Sequence, residues 1–119
     1  MKGSSRRQEQ VAETVRQVVA DALVSEVRDP RVGFVTVTGV AVSNDLGHAV
    51  IRVSVMGDDA QKELALEGLG SAAGFLRAKL TKALSTRTVP WLKFELDRGL
   101  EHAARIEELL ADLRRESAD

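Results

Sequence analysis

Three glycines interrupt an otherwise helical region in the second half of the chain, and they constrain the fold more than any other feature. Gly68, Gly70 and Gly74 lie between two segments whose apolar residues recur at helical spacing. Glycine lacks a Cβ atom, so it favours bends and allows another backbone to come close. We therefore predict two helices that meet at a sharp kink. The predicted helices cover 59–69 and 75–84, and the kink covers 72–74.

The stretch that starts at these glycines contains several basic residues and no acidic ones. No Asp or Glu occurs from Gly68 to Phe94, although the net charge of the whole chain is only −1. Cationic side chains and free helix N-terminal amides both attract phosphate, so this window favours binding of a polyanion. For any single residue, a solvated helix with counter-charges elsewhere is the alternative. The basic residues of the window are Arg77, Lys79, Lys82, Arg87 and Lys93.

Composition limits the classes of function. A chain of 119 residues forms one domain, and its lack of cysteine excludes disulfides and cysteine-ligated zinc. Three Phe, one Trp and no Tyr are too few rings for a broad platform on which bases stack. No apolar run is long enough to span a bilayer and no signal peptide is present, so we expect a cytoplasmic protein.

Periodicity predicts an α+β fold in the order α-β-β-α-α-β-α, with a three-stranded sheet and helices packed on one face. Gly39 shifts the alternation of the first strand, as a bulge would, and the turn formers around Asn44 predict a hairpin. Strand order stays open. The other predicted helices cover 9–27 and 99–115, and the strands cover 34–42, 48–56 and 89–97. The predicted domain covers 9–115, with a flexible arm at 1–8 and a frayed tail at 116–119.

Four motifs together resemble the bacterial ribosome-binding factor A family. They are Asp29-Pro30-Arg31-Val32-Gly33-Phe34-Val35-Thr36-Val37, Val42-Ser43-Asn44-Asp45-Leu46, Ala72-Ala73-Gly74-Phe75-Leu76-Arg77 and Val89-Pro90-Trp91-Leu92-Lys93-Phe94. The similarity runs in matching order from about Val11 to Leu113. It implies a type II KH-like domain in which an Ala-x-Gly kink, matched by Ala72-Ala73-Gly74, replaces the usual Gly-x-x-Gly loop. Two departures are Trp91, where family members usually carry a polar residue, and a short C-terminal extension.

The resemblance also implies a function. Members of this family bind the small ribosomal subunit, contact its ribosomal RNA and assist its late maturation, notably in the cold. We expect a monomer that needs neither membrane nor small-molecule substrate. Phe75 either plugs the helix junction or offers its ring to a base, and Arg6 and Arg7 of the arm are possible additions to the RNA contacts. The predicted RNA-binding residues are Ala72, Gly74, Arg77, Lys79, Lys82, Arg87 and Arg31.

Two classes of function remain, and neither is enzymatic. His48 and His102 are the only histidines, at no metal-ligand spacing, and no phosphate-binding glycine motif occurs. We therefore predict no catalytic residue, metal or cofactor. The first class is a non-catalytic RNA-binding assembly factor. The second is a protein-interaction module of the same fold without direct RNA binding, and salt-insensitive binding would distinguish it from the first.

Overall fold

A computed structural model of the chain describes the backbone of residues 5–97 and 102–118 and the side chains of 5–97 and 106–116. The predicted arm residues 1–4, the predicted helix start at Gly99 and the tail residue Asp119 lie outside the described residues. The fold is α+β, as predicted. Its elements are α1 (Arg6–Ser25), β1 (Val35–Val42), β2 (His48–Val55), α2 (Asp59–Ala83), β3 (Trp91–Leu96) and α3 (His102–Ala118).

The sheet has the order β1-β2-β3, with β2 in the centre. β1 pairs with β2 antiparallel through the predicted hairpin, and β3 pairs with β2 parallel, with α2 as the crossover. The register of β1 shifts between Val37 and Gly39, which confirms the predicted irregularity. A Cβ atom at Gly39 would lie 2.6 Å from Cζ of Arg52. The glycine therefore lets the Arg52 guanidinium lie across β1.

α1 starts earlier than predicted because its first turn is capped. The backbone N–H of Gln8 donates to Oγ of Ser5 at 3.1 Å, and the backbone N–H of Ser5 donates to Oε1 of Gln8 at 2.8 Å. Nε2 of Gln8 also donates to the Val42 carbonyl at 2.8 Å, which ties α1 to the end of β1. Residues 6–8, which the prediction places in the arm, are therefore helical. At the other end, α3 continues to Ala118 through most of the predicted tail.

α2 is one helix rather than two. It runs without a break from Asp59 to Ala83, so the prediction of two helices separated at Ala72–Gly74 is wrong. The physical reason is that the buried residues keep one phase across the glycines. Ala65, Leu69, Leu76 and Leu80 are all fully buried, at spacings of four, seven and four residues. A single face of one helix satisfies all of them.

α1 and α2 cover one face of the sheet, and α3 covers part of the other. The main core lies between the first two helices and the sheet and contains Val15, Leu69 and Ile51. Val50 points away from this core because side chains alternate along β2, yet it is fully buried. α3 contacts β2 and buries Ile106. The prediction of all helices on one face therefore holds for α1 and α2 and is wrong for α3.

Candidate nucleic-acid interface

Helical geometry divides the predicted basic residues of α2 between two sides. We call the side that faces α1 the α1 flank; it carries Gly68, Phe75 and Lys79. We call Arg77 together with the following segment 87–93 the β3 flank. Lys82 is exposed on the surface of α2 away from the buried leucines, where it also lines the groove between α1 and α2. The two flanks place basic side chains in different electrostatic surroundings.

On the α1 flank, the charge of α2 is compensated by carboxylates of α1 and its C-terminal end. Nζ of Lys79 lies 2.6 Å from Oε2 of Glu26 and also donates to Oε1 at 2.8 Å. Asp21 and Glu26 line one wall of a groove whose other wall includes Lys79 and Lys82. Phe75 also lines this groove, half-exposed, with Nζ of Lys79 5.7 Å from its ring centroid. Because α2 is continuous, there is no helix junction for this ring to plug.

Arg31 is likewise held by acidic partners. Its Nη2 lies 2.5 Å from Oδ2 of Asp29 and donates to Oγ of Ser71 at 3.2 Å, and its Nη1 lies 3.8 Å from Glu67. Hydrogen bonds from the Arg31 side chain and, second, from its backbone N–H lower the pKa of Asp29 to about 2. The structure thus places Arg31 beside α2, but as a neutralised charge rather than a free one.

The β3 flank has a different chemistry. Nη2 of Arg77 donates to the carbonyl oxygen of Val89 at 2.9 Å, and its Cζ lies 3.7 Å from the ring centroid of Trp91. Nε of Arg77 is buried and has no hydrogen-bond partner within the part of the chain that the structure describes. Trp91 is 59% exposed. The guanidinium is therefore fixed in place by a carbonyl and an aromatic ring, and no carboxylate of the described side chains cancels its charge.

Three further cations extend the positive surface. Lys82, Arg87 and Lys93 are exposed, and none forms an ion pair with any residue described in 5–97 or 106–116. Lys93 follows Trp91 by two residues on β3 and therefore lies on the same face of that strand, and Arg87 lies in the segment that precedes β3. Such charges meet phosphate without first breaking an internal pair.

The glycines of α2 have two distinct roles. A Cβ atom at Gly68 would lie 2.9 Å from Cγ2 of the buried Val32 and 3.3 Å from Cβ of Arg31, so this glycine admits the 29–32 segment. A Cβ atom at Gly70 or Gly74 would meet nothing within 4 Å. Gly74 therefore lies on an open helix surface, where a ligand backbone has room to approach, whereas Ala72 is partly buried against the core.

Sequence reasoning missed two members of this surface. Lys93 belongs to the acid-free window but is not among the predicted RNA-binding residues, although its exposed strand position could have suggested it. In the sequence, Trp91 is notable only as a departure from the family pattern. Its contact with Arg77 joins α2 to β3, which no local pattern predicts. No metal site comes from the described residues: they contain no group of three His, Cys, Asp or Glu side chains arranged to hold an ion.

Comparisons with known proteins agree on one family. Residues 7–110 match the sequence profile described as ribosome-binding factor A. The chain is 53% identical to ribosome-binding factor A of Rhodopirellula baltica, over 95% of this chain and 82% of the relative. The crystal structure of ribosome-binding factor A from Thermus thermophilus superposes with a TM-score of 0.68 at 25% identity, covering 77% of this chain and 97% of that one.

A further comparison concerns a ribosomal complex. A homology model of the Thermus thermophilus factor has been fitted into a cryo-electron microscopy map of its complex with 30S. The present structure superposes on it with a TM-score of 0.59 at 25% identity, covering 82% of this chain and 98% of that one.

Proposed function

This chain belongs to the ribosome-binding factor A family, and we propose that it binds the small ribosomal subunit through ribosomal RNA. We propose that it does so in the cytoplasm as a monomer, during late maturation of the subunit and processing of its RNA, with its greatest importance in the cold. The proposal requires no catalysis, cofactor, membrane or small-molecule substrate. It is supported by the Thermus thermophilus factor, which occurs in a complex with 30S.

One observation supports RNA as the part of the subunit that this chain contacts. Arg77, Arg87 and Lys93 form a positive flank within a window that contains no carboxylate side chain from residue 68 to residue 94. RNA phosphate attracts such a flank at long range, and no internal ion pair has to open before the contact forms. We therefore assign the β3 flank and Lys82 as the main electrostatic contact. Gly74 would allow the RNA backbone to approach the outer surface of α2, and the small side chain of Ala72 would add little bulk beside it.

Arg31 and Lys79 are secondary members of the proposed interface. Each is already paired with a carboxylate, at 2.5 Å and 2.6 Å respectively. Binding phosphate would require either exchange of that partner or sharing of the cation. Because exposed ion pairs stabilise a fold by less than about 1 kcal/mol, such exchange is energetically accessible. Arg31 and Lys79 therefore contribute less to the affinity for RNA than an unpaired cation does.

Sedimentation tests the proposed function directly. A tagged form of the protein is compared across gradient fractions that contain small subunits, whole ribosomes and polysomes. We expect it to travel with the small subunit and to be absent from polysomes. Binding to purified subunits should weaken steeply with salt, because each phosphate contact releases counterions. Equal distribution over all three fractions would refute a role in maturation.

A second candidate function rests on a different surface. Phe34 and Met56 are 82% and 79% exposed at the open end of the β1–β2 hairpin. The Met56 backbone N–H donates to the Phe34 carbonyl oxygen at 3.3 Å, so the two residues are neighbours across the strands. An exposed apolar pair of this kind suits a protein partner. Binding to the subunit that is insensitive to salt but lost in Phe34→Ser would favour this protein-interaction function instead.

A further inference from the structure

Trp91 lies outside the hydrophobic core, although its strand neighbours Leu92 and Phe94 pack in or against it. The strand itself is firmly placed: Pro90 is fully buried, and the Trp91 backbone N–H donates to the Gly47 carbonyl oxygen at 2.9 Å. The backbone position of Trp91 is therefore determined by the fold, while 59% of the residue stays accessible.

Arg77 occupies only one side of this ring. Its guanidinium carbon lies 3.7 Å from the ring centroid, which is the separation of a stacked cation–aromatic pair. Nη2 is held by the Val89 carbonyl oxygen at 2.9 Å, so the guanidinium acts as a fixed backing for the indole. Since Arg77 covers one face of the ring and 59% of the residue is exposed, the opposite face is the side on which a flat aromatic group would stack.

We propose that Trp91, backed by Arg77, is a stacking site for a single unpaired RNA base. The inference rests on the proposed function and adds to it the kind of RNA structure that the β3 flank selects. Aromatic side chains stack on unpaired bases, whereas bases inside a duplex are already stacked on their neighbours. Arg87 and Lys93 lie on either side of Trp91 in sequence, where they supply cations for the phosphates adjoining that base. The site therefore selects single-stranded RNA over duplex RNA.

A purine stacks over a larger area than a pyrimidine, so the site prefers adenine or guanine. The recognition involves the base face rather than its hydrogen-bonding edge, and no sequence-specific donor or acceptor is needed. Phosphate contact and stacking are separable contributions. Salt weakens the phosphate contact, whereas stacking depends on the aromatic ring.

Intrinsic fluorescence offers a direct readout, because Trp91 is the only tryptophan and the chain contains no tyrosine. The probe is a single-stranded oligoadenylate of about ten nucleotides, a length within the range that such surfaces bind. We expect it to quench Trp91 fluorescence and to protect the ring from acrylamide. An oligouridylate of equal length should bind more weakly, and a duplex of equal length should not protect the ring.

Three variants separate stacking from other roles. Trp91→Ala should bind oligoadenylate about tenfold more weakly or worse, while Trp91→Phe should retain most of the affinity. Val24→Ala removes an apolar side chain that is 90% exposed on α1 and should leave the affinity of the oligonucleotide unchanged. The binding of the variants is measured by anisotropy of a dye on the oligonucleotide, and urea unfolding shows that each variant is folded.

Several outcomes would overturn the stacking site. One is binding of oligoadenylate without quenching, with Trp91→Ala equal to the wild type; another is no binding of the oligonucleotide at all. A third is protection of Trp91 by whole small subunits but not by their deproteinised RNA, which would assign the ring to a ribosomal protein. In each case sedimentation with the small subunit tests the proposed function separately. Wild-type protein that does not sediment with the small subunit would refute that function instead.

Discussion

The α1 flank and the β3 flank of α2 draw their cations from the same acid-free window, but the fold surrounds them differently. Lys79 on the α1 flank meets Glu26, and the adjoining Arg31 meets Asp29. Arg77 on the β3 flank meets a carbonyl oxygen and an indole ring instead. The count of basic residues in a segment therefore does not measure the positive charge of its surface. Long-range neighbours decide which cations remain available.

The two flanks should differ most in how much each contributes to the salt dependence of subunit binding. Arg87→Gln together with Lys93→Gln removes two exposed cations from the β3 flank, and should lower the slope of log affinity against log salt by about 1.4 to 1.8. Arg31→Gln together with Lys79→Gln removes the same formal charge from paired sites, and should lower it by less than half as much. Filter binding to purified small subunits over a salt series measures both. Equal losses would show that the internal ion pairs do not limit contact with RNA.

Gly68, on the α1 flank, and Gly74, on the open surface of α2, should differ in their effect on stability. Gly74→Ala should raise the free energy of unfolding by about 0.5 to 1 kcal/mol, because alanine is the better helix former and the site is open. Gly68→Ala adds the same methyl group against Val32 at 2.9 Å and should lower stability by about 1 kcal/mol. Urea unfolding monitored by circular dichroism measures the difference. A stabilised Gly74→Ala variant with weaker subunit binding would support close approach of RNA at that position.

Removing one carboxylate should make the α1 flank resemble the β3 flank. Glu26→Gln releases Lys79 from its ion pair, so the salt slope of subunit binding should rise by up to about 0.7 to 0.9. The free energy of unfolding should change by less than about 1 kcal/mol, because both partners are partly exposed. The double variant Glu26→Gln with Lys79→Gln serves as the control and should lose the gain. No gain in the single variant would mean that Lys79 does not reach RNA.

The smallest effect concerns acid stability at Asp29. Its folded pKa of about 2 lies below the ordinary value of 3.8, so the ionised form is favoured by folding. The resulting stabilisation is present above that unfolded value and is lost as the pH falls from 3.8 towards 2. Asp29→Asn should therefore make the free energy of unfolding depend less on pH in this window. The slope of that dependence near neutral pH should stay the same. Urea titrations at a series of acidic pH values would detect the change, and parallel curves for both proteins would contradict it.

Local patterns in the sequence predict the fold well where neighbouring residues decide the structure. The strand alternation, the irregularity at Gly39 and the flanking positions of Arg77 and Lys79 all follow from periods of two or 3.6 residues. The glycines of α2 mislead because a low helix propensity does not reveal what lies opposite each residue. Gly68 faces a loop and Gly74 faces open space, and both lie inside one helix held together by a single buried stripe.

The position of the candidate site can be predicted from the sequence, but the ion pairs that neutralise some of its cations cannot. The acid-free window correctly indicates where cations are concentrated along the chain. Glu26 lies 53 residues from Lys79, so no local pattern connects them. The same holds for α3, whose apolar spacing does not indicate which face of the sheet it covers. Tertiary contacts of this kind depend on the topology of the whole domain.

The parallel pairing of β2 with β3 has a consequence for how the molecule is made. His48 pairs with Trp91, so this pairing closes a loop that contains all of α2. Closing a long loop is entropically costly, and sheets dominated by such distant contacts fold slowly. The β1–β2 hairpin can form early during synthesis, whereas Trp91 takes its place only after the chain has emerged beyond α2. The β3 flank therefore exists only after β3 has paired with β2, and a nascent or truncated chain that ends before β3 lacks it.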